Sequence, residues 1–162
     1  MKKIFLPIIL LTCVSVSFAQ SYCTIKKAQA FFNVSMPGVQ MADENGNPVP
    51  PKPNITRFIY AEYSGSKMPD IKTVVYNGKA LSFTIVSLKE KIVSVGDPKI
   101  SPNYKLSAKK GNSILKIGLQ AEEGKTMPET DCKNIIIKSR VAGKICRFYI
   151  YAEKQFITAP RY

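Results

Sequence analysis

Residues 131–151, DCKNIIIKSRVAGKICRFYIY, decide the fold. Asn134–Ser139 and Ile145–Tyr151 are rich in β-branched and aromatic residues, and Ala142-Gly143 between them supplies the positive φ that a short hairpin loop requires. With that pair as the loop, Ile135 faces Ile150, Ile137 faces Phe148 and Ser139 faces Cys146 across the ladder. One face is then apolar. The other carries Lys138, Arg140 and Arg147 beside Tyr149 and Tyr151, the division expected of a sheet with a core on one side and water on the other.

Working outward, the same pattern recurs. Ile71–Val86 contains Asn77-Gly78 between TVVY and KALSF, a strong hairpin signature that puts Val74, Leu81, Phe83 and Ile85 on one face. Lys27–Met36 alternates with period two, and so reads as a strand with one buried face. Thr56–Tyr63 is a strand with Phe58 and Tyr60 on one side and Ile59 and Tyr63 on the other. Ile92–Val95 is short; Tyr104–Ala108 and Ser113–Ala121 form a further hairpin with Leu115, Ile117 and Leu119 inward; Gln155–Tyr162 is a last edge strand. Pro48, Pro50, Pro51 and Pro53 make Val39–Asn54 a semi-rigid loop, and Glu122–Thr130 is another. Nowhere do apolar residues recur at helical spacing. About eight short strands with frequent turns predict an all-β chain, an antiparallel β-sandwich of immunoglobulin-like type, with a β-barrel as the alternative.

Within the proline-rich loop, VQMADENGNPVP (39–50) resembles the V-x-D-x-x-G-x-P-V hairpin element of carboxypeptidase-regulatory-like and other bacterial immunoglobulin-like domains. The resemblance covers a dozen residues and carries no catalytic residue; it implies the same sandwich architecture.

The N-terminus reads as an export signal. Lys2 and Lys3 precede an apolar run, Ile4–Val16, and the small residues around Ala19 suit a signal peptidase, so the expectation is a signal peptide over 1–19 and one β-sandwich domain over 20–162. The run is short for a membrane span, and no transmembrane segment is expected after cleavage. A periplasmic, outer-membrane-associated or secreted protein of a bacterial envelope follows. Without Lys2 and Lys3 the 24 cations fall to 22 against 11 acids, a net charge of +11 that attracts anionic glycan or lipopolysaccharide. Only Arg57, Arg140, Arg147 and Arg161 can make bidentate forks, so specific nucleic-acid recognition is not expected. Lysine spread over wet sheet faces for solubility remains the competing reading.

Three cysteines remain after cleavage, and an oxidising compartment favours one disulfide. The hairpin register leaves Cys132 several residues from the position opposite Cys146, so Cys23–Cys132 is the expected bond and Cys146 the expected buried thiol.

The chain contains no histidine, which removes Ser-His-Asp and Cys-His catalysis and the common zinc and non-haem iron sites; no cofactor is expected. It has no tryptophan either, so a sugar shelf would have to draw on Tyr60, Tyr63, Tyr76, Tyr104, Tyr149 and Tyr151. Ser-x-x-Lys occurs at Ser64/Lys67, Ser107/Lys110 and Ser113/Lys116, and adjacent acids occur at Asp43/Glu44 and Glu122/Glu123. These support only the alternative of a secreted hydrolase. Asp43, Asn45 and Asn47 have the spacing of calcium-loop ligands, but Pro48 stands where the loop needs glycine and Asn54 where it needs a bidentate Glu. The reading that results is an exported, non-catalytic binding or structural domain that contacts an envelope protein or an anionic envelope component. Its candidate surfaces are the face of Lys138, Arg140, Arg147, Tyr149 and Tyr151, the loop 43–52 and an exposed sheet edge.

Overall fold

The computed structural model describes residues 23–35, 41–49, 53–97, 99, 102–121, 127 and 132–157. The signal segment 1–19, residues 158–162 of the expected last strand, Glu122/Glu123 and Arg161 lie outside the described residues. Those described form strands and turns: β1 Ile25–Ser35, β2 Met41–Ala42, β3 Pro48–Val49, β4 Asn54–Ser64, β5 Asp70–Tyr76, β6 Lys79–Leu88, β7 Ile92–Val95, β8 Tyr104–Ser107, β9 Asn112–Gln120, β10 Ile135–Val141, β11 Lys144–Ile150 and β12 Glu153–Gln155.

Eight of these make one sheet in the order β11-β10-β5-β6-β9-β4-β1-β12. Its two ends are lengths of the same strand, since β11 and β12 are separated only by Tyr151 and Ala152. β12 pairs in parallel with β1, Ala30 against Glu153, and Cys23, just before β1, is bonded to Cys146 in β11. In both cases the partner lies 123 residues further along the chain. The β11–β12 stretch therefore runs beside β1 in one parallel register, and the sheet nearly closes on itself. Geometry explains the parallel seam. Counting β11–β12 once, the ring has seven strands, and a ring with an odd number of strands cannot alternate direction all the way round. The other six pairings are antiparallel.

This barrel-like sheet meets the all-β expectation. Its opposed walls face each other across one core, and nothing in its strand order singles out the immunoglobulin-like version. Ile59, Ala61, Val74, Leu115, Ile117, Ile135 and Ile137 fill the interior, with Leu81, Phe83 and Ile85 packed against them. An apolar interior beneath a lysine-bearing exterior is the reverse of a barrel that spans a membrane.

β1 departs from the one-sided burial read for it, and its neighbour β4 is buried on both faces, as its apolar residues on either side suggest. Phe31 and Phe58 point out of the barrel, yet are buried with Val95 and Phe156 and packed by Tyr60, Val93 and Tyr104. The antiparallel pair β7–β8 lies over them and makes a second, external core.

The expected Cys23–Cys132 bond is corrected to Cys23–Cys146, with a Cα–Cα distance of 5.6 Å, and Cys132 is the free thiol. The parallel seam dictates this choice. Cys146 lies opposite Ser139, and Cys132 is seven residues before Ser139, roughly 23 Å along an extended strand. Cys23 cannot reach both positions.

Candidate functional site

The last hairpin brings together all five residues singled out for a binding face. Ala142 and Gly143 adopt φ of 48° and 78°, which turns the chain tightly and fixes the register. Lys138 then lies directly opposite Arg147, Arg140 opposite Ile145 and Ile136 opposite Tyr149, while Ile135, Ile137 and Cys146 point to the interior. On the outer face of β11, Tyr149 is followed by Tyr151; their rings are nearly parallel, 9° apart, with centroids 6.3 Å from each other. Both are exposed.

Electrostatically the face is one-sided. No acid occurs between Asn134 and Ala152. Asp70 of β5 is the register partner of Arg140, but its carboxylate is engaged by Lys72 at 2.8 Å. Lys138 and Arg147 are like charges placed side by side across a ladder, an arrangement that works against the sheet. Neither makes an ion pair among the described residues.

The structure also sorts the tyrosines and arginines. Tyr63 and Tyr76 are buried in the interior and Tyr60 and Tyr104 pack in the external core, which leaves Tyr149 and Tyr151 as the exposed members of the set. Arg57 is buried. Both exposed arginines among the described residues, Arg140 and Arg147, sit on this face.

A second polar group inside the barrel was not anticipated from sequence. Arg57 of β4 and Glu153 of β12 form an ion pair at 3.1 Å, each side chain 3% exposed, and Tyr76 donates its hydroxyl to the same Glu153 Oε2 at 3.0 Å. The guanidinium also lies over the Tyr76 ring, 5.0 Å from its centroid. Glu153 Oε1 is buried without a hydrogen-bond partner among the described residues. Burial, then the Glu153 charge, pushes the Tyr76 phenol well above its ordinary range against the opposing pull of Arg57. Burial raises the Cys132 thiol from 9.0 to about 11, with Glu153 adding to the effect and Arg57 opposing it. A thiol held so far above neutrality is a poor nucleophile. This cluster ties the last strand to the barrel. Its sequence signal was Arg57 itself, in phase with the interior residues Ile59, Ala61 and Tyr63.

The remaining candidates among the described residues do not converge. Ser113 and Lys116 fall on opposite faces of β9: the Ser113 hydroxyl accepts from Lys91 Nζ at 3.2 Å, and Lys116 Nζ lies over Phe58. Ser64 donates to the Thr24 carbonyl, Lys67 is exposed in the following bend, and Ser107 and Lys110 straddle the end of β8. Asp43 closes its own turn, accepting from the N–H groups of Asn45 and Asn47 and from the Asn47 amide; the N–H of Asn47 above all holds its carboxyl below the ordinary range. Glu62 is buried and accepts from the Lys109 N–H at 2.9 Å and Asn112 Nδ2 at 2.6 Å, which fastens the turn between β8 and β9. Among the described residues no cluster of His, Cys, Asp or Glu could hold a metal ion, and no helix is long and apolar enough to cross a membrane.

No protein-family model matches the chain, and no curated protein or solved structure is detectably similar to it.

Proposed function

We propose that the chain is an exported, non-catalytic binding or structural domain of a bacterial cell envelope, which contacts an anionic envelope component or another envelope protein through the outer face of β10 and β11. One observation carries this reading. Lys138, Arg140 and Arg147 are gathered on one sheet face with no acid in the hairpin to offset them. A fold that merely needed solubility would intersperse the two signs. The Cys23–Cys146 bond fits an oxidising compartment, as export requires. Among the described residues no candidate nucleophile and base converge to support the hydrolase alternative.

The test is retention on immobilised heparin and on lipopolysaccharide. Binding should weaken steeply as salt rises from low to moderate, and the double substitution Lys138→Gln/Arg147→Gln should abolish most of it. Binding that ignores both salt and the substitutions would refute the polyanion reading.

A further inference from the structure

The composition of the face narrows the ligand further. We propose that it takes an acidic polysaccharide laid along β11, with sugar rings against Tyr149 and Tyr151 and acidic substituents at Arg147, Lys138 and Arg140. This rests on the anion-binding reading above.

Three features select a glycan from other polyanions. First, Tyr149 near the end of β11 and Tyr151 just beyond it are both exposed and stack nearly parallel, 6.3 Å apart, so they stand together as one aromatic ridge in the row of the cations. A surface built only to attract charge has no use for paired, exposed aromatics; a saccharide does, because its C–H faces pack on a ring while its hydroxyls stay wet. Second, the cations continue the same row. Arg147 precedes Tyr149 by two residues, and Lys138 flanks Arg147 from β10. Arg140 and Arg147 are planar forks suited to carboxylate or phosphate, and the chain's other described arginine is already committed to Glu153. Third, the repulsion between Lys138 and Arg147 is relieved by an anion between them, so the free protein is already arranged for a charged substituent. A lipid surface would instead ask for several protruding apolar side chains. The outer row of β11 offers only Ile145.

The experiment uses the mature protein, an oligogalacturonate as the carboxylated saccharide, and vesicles containing phosphatidylglycerol, with binding followed by titration calorimetry at several salt concentrations. Tyr149→Ala and Tyr151→Ala should each weaken saccharide binding about tenfold while leaving its salt dependence unchanged. Arg147→Gln should weaken it and also flatten the salt dependence. All three residues are exposed, and an unchanged melting temperature establishes that each variant is folded. Saccharide binding that the tyrosine substitutions leave intact would overturn the glycan assignment while the anion-binding reading survives. Preference for the vesicles over the saccharide would do the same. Failure of both probes to bind in a salt-dependent way would remove both.

Discussion

Glu153 sits on a strand of three residues, yet its side chain is only 3% exposed. A desolvated ion pair is a weak source of net stability, because withdrawing two charges from water costs about as much as their attraction returns. Breaking it is another matter. Glu153→Gln leaves the Arg57 guanidinium buried beside a neutral amide and is expected to destabilise the fold by about 3–5 kcal/mol, read from urea unfolding. The paired substitution Arg57→Met/Glu153→Leu should recover most of that loss; a double variant as unstable as the single one would show that the pair is worth more than its shape. Cys132 offers a chemical check on the same cluster. With its thiol raised to about 11, alkylation at pH 8 should run roughly 100-fold slower than that of a free cysteine with its pKa at 9.0. Glu62 has the opposite sign. Despite desolvation, the Lys109 N–H and the Asn112 amide hold its carboxyl below the ordinary value of 4.5. Its contribution to stability is therefore complete above pH 4.5 and is lost as pH falls through the depressed folded value. Glu62→Gln should narrow the gap to the parent protein progressively on acidification. A gap that stays constant with pH would mean that the charge is irrelevant.

At the scale of elements, the hairpins were legible because their turns are chemically specified. Asn77, Gly78 and Gly143 adopt the positive φ values that Asn and Gly accommodate, Ala142 is carried to φ 48° by the turn against alanine's own preference, and the register read for β10 and β11 is the one found. Burial of β1 on both faces was not legible. Phe31 stands in the phase of Lys27, Gln29 and Asn33, so period two assigns it to water. What covers it is β7–β8, whose position over β1 and β4 is set by no residue in β1. The unpaired aromatic in a polar phase was the only hint. Phe31→Ala should accordingly behave as a core truncation and cost about 3–5 kcal/mol, whereas an alanine at exposed Val34, on the same strand, should shift stability by less than about 0.5 kcal/mol. Equal effects at the two sites would deny the external core. That the five residues of the proposed binding face lie together was legible for the same reason as the register: once the turn is fixed, alternation decides which side chains share a face. The role of β12 was not legible, because three residues, EKQ, carry no strand pattern and take their place from Arg57 and Tyr76.

At the scale of the molecule, the unit is an odd ring of strands closed by one parallel seam, latched at one point by a disulfide and at another by a buried ion pair. The first and last strands meet there, so the seam encloses nearly all of the described residues. In a chain-entropy account, cross-linking residues 123 apart restricts the unfolded chain strongly, and Cys23→Ser/Cys146→Ser should cost about 2–4 kcal/mol. Sequence reasoning chose the wrong cysteine pair because it treated the last hairpin alone; only the meeting of β1 with β11 decides which thiol is in reach. The same closure ties β11, and with it the cationic face, to the start of β1 through the Cys23–Cys146 bond. The placement of that face against β1 depends on the seam. Tryptic mapping of the unreduced protein tests it most directly: the account predicts the fragment Ile145-Cys146-Arg147 joined to the fragment containing Cys23, with Cys132 recovered as a free thiol. Recovery of Cys23 joined to Cys132 would contradict it.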